Sequence, residues 1–286
     1  MNPGRSITVF SHARPAETDD ALRELVGLAR EQGITVRLDS EETRKHPEIA
    51  ALPGVEAAAD LATDVEIAIA LGGDGTILRA LRSYAHTSVP VFGVNFGEIG
   101  FLATGEREDA RTAFTHALAG DFETLTLPAI AVDASTALIA INDVAIHRRA
   151  GERVAELAYA VGGQEVGRVR CDGLVVASPA GSTGYNLANG GPVLAWGVEG
   201  YVVSFIAPHS LTARALVVAP DDLLTVHNRS ASAVDISIDG RPAGELRPDE
   251  TVTVGFMREA ADLALLPGST FYQRLRETFG RLSSSG

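Results

Sequence analysis

Val65-Glu66-Ile67-Ala68-Ile69-Ala70-Leu71-Gly72-Gly73-Asp74-Gly75-Thr76-Ile77-Leu78 decides the reading of the fold. The run from Val65 to Leu71 has the apolar continuity of a buried strand, and Ile77, Leu78 and Leu81 begin a helical spacing. Between them lies Leu71-Gly72-Gly73-Asp74-Gly75-Thr76, a glycine-rich turn joining strand to helix. Its glycines admit backbone conformations closed to other residues and let a ligand approach closely. In open α/β sheets ligands bind at such carboxyl ends of strands. The helix N-terminus beyond offers free amides to phosphate oxygens. Asp74 is the unusual member, because a carboxylate beside phosphates is repulsive unless it accepts a proton from an attacking hydroxyl or holds a metal ion. The plain alternative is a turn in which Asp74 caps the helix.

Outward from this turn, strand and helix patterns alternate. Ile7 to Phe10 reads as a strand. Asp19 or Asp20 can cap a helix whose apolar face is Leu22, Leu25, Val26 and Ala29, and Gly33 stops it. Ile34, Val36 and Leu38 alternate as a strand, Pro90 to Val94 is another, and Arg107 to Leu118 is a helix. The series is βαβ, so a mainly parallel α/β sheet is expected over residues 1–121. From about residue 122 short strand-like runs succeed one another: Ile130 to Val132, Leu138 to Ile141, Val144 to His147, Leu174 to Ser178, Val202 to Ile206, Leu223 to His227, Val234 to Ile238 and Thr251 to Phe256. Asp239-Gly240 and Pro248-Asp249 read as turns. An all-β second domain, a sandwich or similar, is expected over residues 122–266. In residues 267–286, Phe271, Leu275 and Phe279 predict a short helix before Gly280 that docks an apolar stripe on the first domain, with Ser283 to Gly286 disordered.

Two further segments carry chemistry. Pro90-Val91-Phe92-Gly93-Val94-Asn95-Phe96-Gly97-Glu98-Ile99-Gly100-Phe101-Leu102 again places a glycine-rich turn after a strand, so neighbouring strand ends would face one crevice. Phe101 could be core or could stack on a base. Asp172-Gly173-Leu174-Val175-Val176-Ala177-Ser178-Pro179-Ala180-Gly181-Ser182-Thr183-Gly184-Tyr185, with Gly190-Gly191-Pro192 beyond it, offers hydroxyls, a ring and a phenol to a polar ligand.

Bulk properties narrow the classes. The chain has 286 residues, 45% of them hydrophobic and 21% charged, which suits one large or two ordinary ordered domains. Apolar runs are far shorter than a membrane span, and the N-terminal residues lack the pattern of a secretory signal. Cys171 is the only cysteine, which suits a reducing compartment. A cytoplasmic protein without membrane contact is expected. A net charge of −13 argues against nucleic acid as partner. Lys45 is the only lysine, in Arg44-Lys45-His46, so neither a G-x-x-x-x-G-K-[ST] loop nor a protein-kinase strand lysine exists. Any phosphoryl transfer must use backbone amides, arginines and a metal ion.

Together the segments resemble the NAD kinase family. Gly72 to Thr76 is similar to its first signature and Gly93 to Leu102 to its Gly-x-Asn-x-Gly-x-x-Gly-Phe-Leu segment. Asn142-Asp143 stands where the family has Asn-Glu or Asn-Asp. Asp172 to Tyr185 with Gly190-Gly191-Pro192 resembles its most specific signature, and Pro208-His209-Ser210-Leu211 is similar to another family segment. Gly-Gly-Asp-Gly-Thr alone also suits lipid kinases and phosphofructokinases. The ordered set is specific, and the resemblance runs from about Ile7 to Phe279.

The resemblance implies a Rossmann-like N-terminal domain, a β-sandwich-like C-terminal domain and transfer of a phosphoryl group from ATP, or polyphosphate in some members, to the 2′-hydroxyl of the adenosine ribose of NAD. Mg²⁺ or another divalent metal would assist, with no protein ligand set assigned to it. Asp74 would be the general base, with Gly72, Gly73 and Thr76 in the phosphate loop. Gly75, Phe101, Asn142, Asp143, Asp172, Thr183, Gly184, Tyr185 and Ala188 match dinucleotide-holding positions. Arg79 and Arg170 match positions near phosphates, and a basic residue at Arg170 goes with ATP preference. Ala207 and His209 match a part completed by a neighbouring subunit, implying a homodimer or homotetramer. Ala180 and Gly184 depart from the usual Thr-Pro-Thr-Gly-Ser-Thr-Ala-Tyr, Asp143 is shorter than the commoner Glu, and Ala195-Trp196-Gly197 stands where a proline is usual. These departures bear on how tightly the dinucleotide is held and on NAD versus NADH. The competing readings are a lipid kinase of diacylglycerol-kinase type, against which the polar Asp172 to Tyr185 loop speaks, and a non-catalytic dinucleotide-binding regulator.

Overall fold

The structure, a computed structural model, describes residues 4–97, 100–133, 135–210 and 212–283. Glu98, Ile99 and Leu211 of the motif segments lie outside them, as do residues 284–286 of the tail expected to be disordered from Ser283, while Ser283 itself closes the final helix. The chain forms two compact units, Met1–Thr126 with Ala261–Gly286, and Leu127–Ala260.

The first unit is built on strands β1 (Ser6–Ser11), β2 (Thr35–Arg37), β3 (Val55–Glu56), β4 (Ile67–Leu71), β5 (Val91–Asn95) and β6 (Gly105–Glu106). They alternate with helices α1 (Asp19–Glu31), α2 (Ser40–Lys45), α3 (Pro47–Ala50), α4 (Asp74–Ser83) and α5 (Ala110–Ala119). The strand order is β5-β4-β1-β2-β3, β6 pairs with β5, and every pairing is parallel. Crossover helices cover such a sheet, which is why β4 and β5 are apolar without alternation and buried throughout. Leu22, Leu25, Val26 and Ala29 of α1 join Phe114, Ala117 and Leu118 of α5 in one core. Asp19 and Asp20 do not cap α1. The cap position is Thr18, whose carbonyl accepts from Leu22, and Asp19 instead bonds His46. Gly33 does end α1, at φ +70°.

The second unit contains β8 (Ser135–Ala140), β9 (Asp143–Arg148), β10 (Ala155–Val161), β11 (Gln164–Cys171), β12 (Gly173–Ala177), α6 (Tyr185–Ala188), β13 (Tyr201–Ile206), β14 (Leu216–Val218), β15 (Leu224–Asn228), β16 (Val234–Ile238) and β17 (Arg241–Leu246). Two long strands cross the unit boundaries: β7 (Glu123–Val132) near the start and β18 (Thr251–Leu265) at the end. The boundaries therefore fall inside strands rather than at residues 122 and 266. One antiparallel sheet runs β14-β13-β12-β9-β16-β17, and β11-β10-β15-β18 form another antiparallel array. Inward residues of both, among them Ile146, Leu157, Leu174, Val203, Val226, Ile236 and Val254, make a single core. This is the packing of a β-sandwich. Asp239 and Gly240, at φ +46° and +73°, turn β16 into β17 as the Asp-Gly pair predicts.

Strands β10, β11, β14 and β17 went unread in the sequence. Arg241–Leu246 is exposed at every residue but the last, so no apolar alternation marks it. The final helix α7 (Phe271–Ser283) belongs to the first unit and runs through Gly280 rather than ending before it. Thr270 starts it, its Oγ1 accepting from the Gln273 amide at 3.2 Å. Among the described residues no helix is long and apolar enough to cross a membrane.

Candidate active site

In the first unit the two glycine-rich turns meet. A Cβ placed on Gly97 would lie 3.0 Å from the Cα of Gly73, and one on Gly72 would lie 2.3 Å from Thr76 Oγ1. A side chain at Gly97 would push the two turns apart, and one at Gly72 would collide with Thr76 within its own turn. Gly73 is the N-cap of α4, and Asp74 is its first residue. The Asp74 carboxylate does not cap that helix. Oδ2 accepts from the Phe101 amide at 2.9 Å and Oδ1 from the Leu102 amide at 3.1 Å. A carboxylate has about four acceptor lone-pair sites. These two amides fix its orientation while leaving capacity on each oxygen. Gly100 packs against it so closely that a Cβ there would lie 2.2 Å from Oδ1. Phe101 is 7% exposed, its ring edge-on to Phe279 at 5.8 Å between centroids.

Arg79 is placed elsewhere. Its guanidinium donates to Glu41 at 2.5 Å, to the buried Glu42 at 2.5 Å and to the carbonyl of Ser11 at 2.9 Å, and it lies over the ring of Phe10. Ser11, Glu42, Lys45, His46 and Asp19 complete this polar network. Buried charge of this kind persists only when paired.

In the second unit Asp143, His147, Arg148, Asp172, Tyr185 and Asp235 line part of a cavity of about 640 Å³. The antiparallel register of β9 and β12 brings its polar residues together, His147 facing Gly173 and Asp143 facing Ala177. Asp172 receives Arg148 through two bonds, Nε to Oδ1 at 2.6 Å and Nη2 to Oδ2 at 3.2 Å. The Arg148 hydrogen bond, its charge and that of His209 hold the Asp172 carboxyl below its ordinary range. Asp143 stands opposite in character. Burial first, and the charge of Asp239 second, push its carboxyl up to about 7. Asp239 accepts from the amides of Ile141, Asn142 and Asp143, so it cannot move away. Asn142 keeps a buried Oδ1 without a hydrogen-bond partner.

The loop after β12 lies against Asn142. Ser178 Oγ donates to the Ile141 carbonyl at 2.5 Å and accepts from the Gly181 amide at 3.1 Å. A Cβ on Gly181 would sit 2.0 Å from the Asn142 carbonyl oxygen, so only glycine fits. Asn186 ties the loop to the Gly190-Gly191-Pro192 turn, donating to Ser182 O at 2.8 Å and Pro192 O at 2.9 Å. Thr183 Oγ1 donates to the Ala180 carbonyl, and Tyr185 is 42% exposed at the cavity. Gly184, Ala188, Arg170 and His209 are exposed, and the His209 amide donates to the Arg170 carbonyl at 2.8 Å. Ala207 is exposed in a left-handed conformation, φ +43°.

Both units also match known sequences. The profile of the ATP-NAD kinase N-terminal domain matches residues 20–122, and that of the ATP-NAD kinase C-terminal domain matches residues 141–265. The chain belongs to the NAD kinase family. Among similar relatives, the NAD kinase of Symbiobacterium thermophilum is 39% identical over 221 residues, 75% of this chain and 78% of that protein. The NAD kinase of Natranaerobius thermophilus is 31% identical over 284 residues, 96% of this chain and 97% of that protein. The crystal structure of an NAD kinase from Archaeoglobus fulgidus in complex with ATP superposes with a TM-score of 0.72 at 25% identity, covering 99% of this chain and 100% of that one. Yeast NADH kinase complexed with NADH superposes with a TM-score of 0.84 at 21% identity, covering 98% and 89%, and shares the fold.

Within this NAD kinase fold several site-building residues carried no motif signal. Arg148 reaches Asp172 only because β9 and β12 are neighbours, and Asp239 reaches the Asn142 amide across 97 residues of sequence. The strand pairing that unites them appears in no short window of sequence. Asn186 lies beside the glycine-rich loop, and its link to Pro192 could have been suspected from the Gly190-Gly191-Pro192 turn.

Proposed function

We infer that this chain is an NAD kinase that uses Asp74 as general base. The observation that carries the reading is the Asp74 carboxylate at the carboxyl end of β4, aimed by the Phe101 and Leu102 amides with acceptor capacity to spare. Asp74 takes the proton of the ribose 2′-hydroxyl. The freed oxygen bonds the γ-phosphorus of ATP, the bond to the β–γ bridging oxygen breaks, and ADP leaves. Gly72, Gly73, Gly75 and Thr76 let phosphate oxygens approach the start of α4.

The second unit supplies recognition. Asn142 presents an amide suited to the N6 and N7 edge of adenine, and its unpartnered buried Oδ1 supports that assignment. Asp172, kept ionised by Arg148, accepts from ribose hydroxyls. Asp143, whose carboxyl is pushed up to about 7, keeps a protonated fraction near neutrality and in that form can donate as well as accept. Tyr185, Thr183, Gly184 and Ala188 bound the dinucleotide. Arg170 is exposed where it can meet phosphates and favours ATP over polyphosphate, so equal turnover with both donors would refute that preference.

A magnesium ion fits this arrangement in one way. Asp74 retains lone pairs next to the phosphate loop, which suits an ion held mainly by substrate phosphates and at most one protein carboxylate. Bound there, it would neutralise charge building on the transferred group. A cytoplasmic homodimer or homotetramer in which Ala207 and His209 meet a neighbouring subunit completes the proposal, and light scattering tests the assembly.

The deciding experiment measures NADP formation from NAD with ATP and Mg²⁺ for wild type and Asp74→Asn. Turnover that collapses in the variant supports both kinase and base. Absence of turnover in wild type with either donor refutes the reading.

A further inference from the structure

One guanidinium in the first unit belongs to no motif. Arg274 of α7 borders a cavity of about 370 Å³ that is also lined by Gly100, Thr104, Glu106, Asp109 and Glu277. Its Nη1 donates to the carbonyl of Phe101 at 3.2 Å and to that of Ala103. Burial lowers the pKa of this guanidinium, opposed by the charges of Asp74, Glu277 and Glu106, and an arginine stays protonated in such a place.

The Phe101 carbonyl and the Leu102 N–H belong to one rigid peptide plane, and in a trans peptide they point in opposite directions. No cis peptide occurs among the described residues. Arg274 grips one end of this plane while the other end donates to Asp74 Oδ1 at 3.1 Å. The Phe101 amide on Oδ2 and the Ala103 carbonyl on Arg274 flank it on either side. Four groups of one short loop are thus fixed between a cation and the carboxylate. Bonds aligned in series also polarise one another.

We propose that Arg274 is a positioning residue for phosphoryl transfer, fixing the loop carbonyls so that the loop amides aim the Asp74 carboxylate. The proposal rests on the reading of Asp74 as base. It makes α7, far along the sequence from the turn, part of the catalytic apparatus through the loop alone.

The test uses the full chain with Arg274→Ala and Arg274→Lys. The readouts are kcat, KM for NAD and for ATP, and amide hydrogen exchange at Phe101 and Leu102. Arg274→Ala should lower kcat by roughly tenfold to a hundredfold, the scale expected for a misplaced catalytic group. KM for both substrates should stay within about twofold, and both amides should exchange faster. Arg274→Lys, which keeps the charge but carries it on a flexible stem in place of the planar guanidinium whose Nη1 meets both carbonyls, should show the same split to a smaller degree and serves if the alanine variant fails to fold. Phe279→Leu, which loosens α7 against Phe101 without touching the guanidinium, should leave amide exchange at wild-type rates. Unchanged exchange in Arg274→Lys, a loss confined to KM, or a Phe279→Leu variant that reproduces the effect would overturn the proposal alone. Full turnover by Asp74→Asn would overturn the base reading with it.

Discussion

Replacing Asp143 by Asn should make the protein more stable at pH 8 than wild type, and the gain should vanish in acid. The Asp143 side chain sits in the second unit, 7% exposed, with its carboxyl pushed up to about 7 by burial and by Asp239. In the unfolded chain the same group releases its proton near pH 3.9. Between those values the folded state binds one proton more than the unfolded state. Stability must therefore fall as pH rises through that window. Each pH unit is worth about 1.4 kcal/mol, so the decline from pH 5 to about 7 amounts to roughly 3 kcal/mol, levelling off above. Asparagine preserves the shape and carries no charge to desolvate, so this contribution disappears in the variant. The assay is urea unfolding of both proteins at pH 5 and pH 8, monitored by the fluorescence of Trp196. That residue is the sole tryptophan, 8% exposed, and it lies in the same unit as Asp143. Wild type should lose about 3 kcal/mol more than the variant between the two pH values. Parallel pH dependences would refute the argument, because they would mean that Asp143 is ionised in the folded state at pH 5 without penalty.

Gly181→Ala should raise KM for NAD at least about tenfold, since its Cβ would meet the carbonyl oxygen, carbonyl carbon and Cα of Asn142 at 2.0, 2.3 and 2.5 Å and drive the loop off the recognition strand. Steady-state kinetics with a circular dichroism control checks this. Arg79→Ala should cost about 3 kcal/mol of stability, because Glu42, whose side chain is 1% exposed, loses its closest cation; Glu42→Gln in the same background should restore part of it in urea melts. Cys171 is fully buried and its thiol is pushed up to about 11, chiefly by burial, so a disulfide-exchange reagent should leave it unlabelled until the protein unfolds. Stoichiometric labelling of the native protein within minutes would contradict that.

The features legible in the sequence are those encoded by neighbouring residues. The five apolar residues of β4 and the glycines after them specify a buried parallel strand and its turn within a single window. The spacing of Leu22, Leu25, Val26 and Ala29 specifies the inner face of α1 in the same way. The Asp239-Gly240 turn is equally local. The unread features depend on remote partners. Nothing near Arg148 marks it as the counter-ion of Asp172, and nothing near Arg79 marks Glu41 and Glu42 of α2 as its partners. Strand β17 hides because its exposed face has no reason to be apolar. Gly280 misleads for a physical reason as well: glycine weakens a helix by only about 1 kcal/mol, which the contacts of Phe271, Arg274 and Phe279 can offset.

Asp143 and Asp172, two of the three carboxyl groups that line the 640 Å³ cavity, show how one strand pair can produce opposite chemistry. Asp172 stands half-buried between β11 and β12 and is met by a guanidinium, so it is a fixed anion and can only accept hydrogen bonds. Asp143 opens β9 on the face opposite to the core residues Val144 and Ile146, is buried, and is met by a second carboxylate whose acceptors are already committed to three backbone amides, so it resists ionisation. A dinucleotide carries ribose hydroxyls that donate, together with base and amide edges that both donate and accept. An acceptor-only group and a group able to do either, held on adjacent strands, cover both needs without any lysine. Asp143→Asn should then retain dinucleotide binding at neutral pH, since an amide also donates and accepts. Asp172→Asn should lose it, since the amide leaves Arg148 without its counter-charge. Calorimetric titration of NAD into the two variants would decide between this division of roles and one in which Asp143 binds as an anion, for which Asp143→Asn would be the weaker binder.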